Sequence, residues 1–184
     1  MILTQEFLGR QASIRDINEY SENRIMNENA MFSKNNSYDL FISHSFFDKK
    51  LVLTLVQLFN DAQYSVYVDW INDSSLDRKN VTSETAKIIR KRIAQCKGLA
   101  YIATKNIVSS KWCPWELGLG DGINNGRSCI LPVMQEGSSF RGTEYIGMYP
   151  YIEYESDKFW VVDQNDSSKY TSLRNWLAGY SLKV

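Results

Sequence analysis

Proline, cysteine and histidine are all scarce in this chain, with three, three and one among 184 residues. Three prolines and ten glycines leave little room for a long flexible linker, and the length suits one domain of ordinary size with a substantial core. The cysteines, Cys96, Cys113 and Cys129, are odd in number and widely spaced. That argues against a disulfide framework and fits a reducing, cytoplasmic setting. With a single histidine and no close cysteine pair, a structural zinc site is disfavoured and no metal is expected. Long apolar runs are missing too: Leu99–Ala103 is typical of the longest, against about 20 residues for a membrane-spanning helix. The N-terminal MILTQEFLGR lacks the apolar stretch of a secretory signal. Neither sign of charge is in excess, since 21 Lys+Arg face 21 Asp+Glu. Nucleic acid and anionic membranes are therefore disfavoured as partners.

What is present is ordinary globular material with a rich aromatic share, 43% hydrophobic, 23% charged and 13% aromatic, with five tryptophans. Residues 1–36 stand apart. They are polar and asparagine-rich, and Ile14, Ile17 and Ile25 predict a helix between roughly positions 12 and 31, so this stretch reads as a helical extension. Asn35-Asn36-Ser37 reads as the hinge into a main domain over 37–184. From Tyr38 the signals alternate. Tyr38–Ser43 is a short β-rich strand. Ser45-x-x-Asp48 looks like a capping box with Asp in place of Glu. Leu51, Leu55, Leu58 and Phe59 then mark one face of a helix. Ser65–Trp70 is a second strand and Ile71–Val81 a long loop. Thr82 or Ser83 caps a helix facing Ala86, Ile89 and Ile93 inward. Gly98–Thr104 is a third strand, Trp115–Ile123 a short helix, Cys129–Met134 a fourth strand and Ile146–Tyr154 a weak fifth. Leu173, Trp176 and Leu177 mark a C-terminal helix. Such alternation predicts an α/β fold with a parallel sheet covered on both faces. Its ligand crevice should lie beyond the C-terminal ends of the strands, at Ser43-His44-Ser45, Asp69-Trp70, Thr104-Lys105 and Met134-Gln135.

Several chemistries are missing. No GxxxxGK[ST] or GxGxxG occurs, and Gly118, Gly120 and Gly122 fall inside a helix, where close helix packing is the plainer reading. There is no GxSxG nucleophile elbow. Asp39 lies at the start of the first strand, not at its end where a phosphoacceptor would sit. His44 occupies a crevice position, or serves as a hydrogen-bonding loop histidine. The informative block is Ser110-Lys111-Trp112-Cys113-Pro114-Trp115-Glu116-Leu117-Gly118. Pro114 suits a first helical turn, which would put Glu116 in that same turn, where the helix dipole favours a carboxylate by roughly 0.3–1 kcal/mol. A carboxylate near the Trp112 ring suits a flat cationic group attached to a sugar, with the ring stacking and the carboxylate supporting positive charge at the anomeric carbon. A capping Glu beside two core tryptophans is the alternative.

These residues also carry a resemblance. Tyr38–Ser45 with Asp48-Lys49 resembles the first signature box of Toll/interleukin-1 receptor (TIR) domains. Val66–Trp70 and the following loop resemble that family's second strand and BB loop. Ser110–Leu117, with Trp112 and Glu116, resembles the WxxxE segment of the NAD-cleaving branch. The likeness spans about residues 37–180. It implies a flavodoxin-like TIR fold, a central five-stranded parallel sheet flanked by helices. It also implies an NAD+ glycohydrolase or cyclase that releases nicotinamide and forms ADP-ribose or a cyclic ADP-ribose isomer. Glu116 would be catalytic, with Trp112 and Phe41 lining the pocket. Ser43, His44, Ser45, Asp69 and Trp70 would be substrate-binding by position, NAD+ serving as substrate and no cofactor being required. The family further implies TIR–TIR self-association through the BB loop at 71–83, where Asp73, Asp77, Arg78 and Lys79 offer charge pairing. A bacterial antiphage signal of the Thoeris kind, read by a separate effector protein, fits a small TIR chain. A non-enzymatic TIR adaptor, or a secreted mimic of host TIR domains, is the competing reading.

Overall fold

A computed structural model describes residues 1–18, 20–32, 37–72, 82–140 and 144–183. The chain opens with a two-residue strand β1 (Leu3–Thr4) and helices α1 (Gln5–Ile14) and α2 (Glu22–Phe32). Strand β2 (Tyr38–Ser43), helix α3 (Lys49–Asp61), strand β3 (Val66–Tyr67) and helices α4 (Asp69–Asn72) and α5 (Ser83–Ala94) follow. Next come β4 (Cys96–Ala103), α6 (Trp112–Ile123), β5 (Ser128–Met134) and β6 (Tyr151–Glu155). A hairpin strand β7 (Lys158–Val162), then β8 (Tyr170–Ser172) and α7 (Leu173–Leu177), complete it.

The strand order is β3-β2-β4-β5-β6-β7-β8, with β1 also on β5. The first five in that order run parallel, which is the five-stranded parallel core that the sequence predicts. Beyond it, β7 and β8 add antiparallel strands, and β1 adds Leu3 opposite Val133. The central strands are nearly continuous in apolar residues because both faces of the sheet are covered. Leu40, Ile42, Ala100 and Ile102 face α1, α2 and α3, while Phe41, Leu99, Tyr101 and Ile130 face α5 and α6.

The N-terminal segment differs from the single helix predicted over 12–31. Thr4 caps α1 by accepting from the Phe7 N–H at 3.0 Å. The helix ends at an exposed Ile14, and Asp16 turns the chain with φ 50°. Leu3, Leu8, Ala12, Ile17 and Ile25 are all buried in the same core as the sheet. Helix α3 keeps the amphipathic pattern that the sequence predicts and is enclosed on most sides, with every residue from Val52 to Asn60 buried.

Other boundaries shift for local reasons. The second strand closes at Tyr67, because the Asn72 side chain accepts from the Val68 N–H at 2.8 Å and winds Asp69–Asn72 into a helical turn. The Ser45-x-x-Asp48 box does not form. Ser45 caps only a 3₁₀ turn, Phe46–Asp48, and Asp48 is held elsewhere. Thr82 does cap α5, with Thr85 completing a reciprocal capping box. Of the three glycines in α6, Gly120 alone makes the close approach: a Cβ there would meet Leu99 Cδ1 at 2.7 Å, whereas at Gly118 and Gly122 it would meet nothing within 4 Å. The predicted hinge at Asn35-Asn36 and the loop charges Asp73, Asp77, Arg78 and Lys79 lie outside the described residues. Among the described residues no helix is long and apolar enough to cross a membrane.

Candidate active site

The site is assembled where β2 and β4 end and α6 begins. Registration of these two strands sets Ser43 opposite Tyr101, both on the face that α6 covers. Helix α6 starts three residues earlier than the sequence predicts, at Trp112. Pro114 still falls in the first turn, where its missing N–H has no helical partner to lose. Glu116 now lies in the second turn, beyond the reach of most of the dipole's benefit. A hydroxyl takes that role instead: Ser43 Oγ donates to Glu116 Oε2 at 2.7 Å, and both side chains are fully buried. A hydrogen bond to a charged acceptor in a desolvated site is worth roughly 1.5–3 kcal/mol. The start of α6 is tied to the same strand end, because the Cys113 thiol donates to the His44 carbonyl at 3.2 Å. Four residues before Glu116, Trp112 occupies the same face of the helix. It is half-buried and packs edge-to-face on Trp115, with ring centroids 5.2 Å apart.

The residues predicted around Glu116 take different stations. Phe41 is fully buried and stacks on Tyr67, with ring centroids 5.2 Å apart. His44 is 2% exposed. Trp70 Nε1 donates to its Nε2 at 2.7 Å, and its Nδ1 lies 3.1 Å from the Ile42 carbonyl. Since an indole N–H only donates, Nε2 is the acceptor and Nδ1 carries the proton toward Ile42, which assigns a neutral imidazole by network logic. Asp69 Oδ1 lies 3.8 Å from Nε2, beyond hydrogen-bond range. With both nitrogens occupied, His44 works as a structural hub joining β2 to α4. Lys49 Nζ sits 4.5 Å over the Trp70 ring. Ser45 is buried at the turn. Asp48, quoted above only for its motif, accepts from Thr104 Oγ1 at 2.6 Å and from the Asn106 amide. It thereby ties the turn after β2 to the loop after β4.

Tyr101 lies beside this candidate site, opposite Ser43, and sequence reasoning misses it. It is 1% exposed. Burial pushes its phenol well above the ordinary value, and a hydrogen bond to Tyr145 and the nearby charge of Glu116 add to that shift. Its signal in the sequence is its place two residues beyond Leu99 in the strand, the face shared with Phe41 and Ser43 once the register is known. Chemically, the arrangement offers a carboxylate held rigid by one hydroxyl and by packing, in a low-dielectric setting. There an electrostatic interaction with a developing cation is worth more than in water.

A sequence profile described as TIR domain matches residues 40–165. The chain belongs to the TIR domain family. A Bacillus cereus (strain MSX-D12) protein named "Probable 3' cyclic ADP-D-ribose synthase ThsB'" is 39% identical over 168 residues, which is 87% of this chain and 86% of that one. A Cytobacillus dafuensis protein named "Putative cyclic ADP-D-ribose synthase TIR2" is 34% identical over 94 residues, half of this chain and 25% of that longer protein. Among solved structures, the TIR domain of the Toll-related receptor TRR-2 from Hydra magnipapillata aligns with a TM-score of 0.41 at 20% identity, covering 57% of this chain and 76% of that domain. The TIR match begins at Leu40, so β1, α1 and α2 lie outside the matched residues.

Proposed function

We propose that this TIR protein cleaves NAD+ at the nicotinamide–ribose bond and transfers the ADP-ribosyl group to an oxygen of the same molecule, forming a cyclic ADP-ribose isomer. Water as acceptor gives linear ADP-ribose instead. The observation that carries the reading is Glu116, fixed by Ser43 at 2.7 Å beneath the C-terminal edge of the central strands. Likeness over most of both chains to a protein named as a cyclic ADP-D-ribose synthase supports it. Nicotinamide is a positively charged leaving group and departs neutral with the bonding electrons. The ribosyl carbon becomes oxocarbenium-like, and the Glu116 carboxylate stabilises that charge. Trp112 offers its ring to the departing or incoming flat group. The acceptor hydroxyl attacks the anomeric carbon and releases its proton to water as the new C–O bond forms. Water exclusion around Glu116 favours the internal acceptor.

Glu116 has no solvent exposure in the single chain, so a substrate reaches it only when covering side chains move. That supports a further part of the proposal, activation by association of TIR domains. The product would then act as a soluble signal to a separate effector in antiphage defence. The test compares wild-type and Glu116→Gln proteins with NAD+, following nicotinamide release by chromatography across a range of protein concentrations. Loss of one such electrostatic stabiliser costs on the order of 10²–10³ in rate, and specific activity of the wild type should rise with concentration. A Glu116→Gln protein as fast as the wild type would sink the assignment.

A further inference from the structure

A cavity of about 360 Å³ lies between α1, the first turns of α3 and the loops that follow β2 and β4. Its volume is within the range of small-molecule sites. Its position is where open α/β sheets bind ligands: the chain turns from β2 toward β3 on one side and resumes with β4 on the other, so the cavity straddles the switch point at the strands' C-terminal ends. Lys50 comes from the first turn of α3 and Lys105 from the loop after β4. Both are exposed, and neither ammonium is in an ion pair among the described residues. The one acid in the wall, Asp48, has its carboxylate engaged by Thr104 and Asn106. Phe47 contributes a ring that is 74% exposed and meets Phe46 edge-on, with centroids 6.2 Å apart, so ring surface remains for a flat group to stack on. Gln5 adds an amide from α1. A second cavity, also about 360 Å³ and largely apolar, shares Gln5 and Lys105 with the first and extends along the ends of β4 and β5. Together they follow the C-terminal ends of the central strands, the end at which Ser43 closes β2.

We propose that this groove, walled by the N-terminal helix, is a subsite for an adenosine diphosphate group, with Lys50 and Lys105 on the diphosphate and Phe47 against the adenine. This inference rests on the proposed NAD+ chemistry for its occupant and names where the half of the dinucleotide remote from the broken bond is held. Because α1 lies outside the residues matched to the family, one wall of the subsite comes from a segment that the family match does not cover. Two ammonium groups without carboxylate partners suit a dianionic diphosphate, and a ring with an open face suits any purine.

The experiment is a calorimetric titration of the full chain with ADP, repeated with Lys50→Ala/Lys105→Ala and with Gly9→Leu. Gly9 lines the cavity, and a Cβ there meets nothing within 4 Å, so a larger side chain at this position has room to start and takes up cavity space. Wild-type protein should bind ADP, and each variant should lose at least tenfold in affinity. The KM for NAD+ should rise by a similar factor in both variants. ADP binding that is absent from the wild type, or unaltered in the variants, overturns the subsite. The two readings fail separately. A wild type that binds ADP through these lysines and releases no nicotinamide contradicts the NAD+ reaction alone. One that releases nicotinamide without binding ADP contradicts the subsite alone.

Discussion

Ser43 and Glu116 meet across 73 residues of sequence, and their hydrogen bond is where a single atom should matter most. Ser43→Ala removes the donor and with it one hydrogen bond of the buried Glu116 carboxylate. At roughly 1.5–3 kcal/mol for a bond to a charged group, kcat for NAD+ cleavage should fall about 10- to 100-fold, read by steady-state nicotinamide release. The same protein should keep its fold by circular dichroism, since alanine fits the serine's space. Trp70→Phe tests the other network: it leaves His44 Nε2 without its indole donor, and chemical denaturation should show a loss of about 1–3 kcal/mol. At this scale the sequence is half transparent. Glu116 and Trp112 are legible because their chemistry sits in one short stretch. Tyr101 and the working role of Ser43 are not, because each acquires its partner only through the register of β2 on β4, a non-local fact.

Helix α6 carries the catalytic candidate, and its packing against β4 depends on one glycine. Gly120→Ala drives a methyl group into Leu99 and should destabilise by about 1–3 kcal/mol through overpacking. Gly118→Ala and Gly122→Ala meet open space and should stabilise by up to about 1 kcal/mol through helix propensity. Urea denaturation of the three variants separates these signs. Equal effects at all three positions would contradict this packing. Elements with strong local signals were readable: the Thr82 cap opens α5, and the apolar run through Leu99–Ala103 is the heart of β4. The β6–β7 hairpin was not. Its turn residues, Ser156 and Asp157, both take positive φ, 52° and 57°, a conformation usually announced by Asn-Gly or Asp-Gly. The break between α1 and α2 is hidden in the same way, in a left-handed Asp16.

Across the whole molecule, the N-terminal extension and the family core share one hydrophobic interior. Leu8→Ala should therefore cost about 2–5 kcal/mol and lower the melting temperature of the entire chain in one cooperative transition. A second global property follows from the cysteines. Burial pushes the Cys96 and Cys129 thiols well above their ordinary values, so the folded state keeps protons that the unfolded chain gives up above a pKa of about 8.5. The folded form binds more protons there, so stability should fall as pH rises beyond that value. Both thiols should also resist alkylation until the chain unfolds. The balanced charge, 21 against 21, leaves little long-range repulsion between copies, in keeping with activation by association. The central claim is that the chain breaks NAD+ at Glu116, and the most direct measurement is mass spectrometry of the purified protein's reaction with NAD+. The account predicts free nicotinamide together with ADP-ribosyl product, chiefly a cyclic species lighter than ADP-ribose by one water, and neither from Glu116→Gln. Intact NAD+ after incubation with concentrated wild-type protein, or the same products from Glu116→Gln, would contradict it.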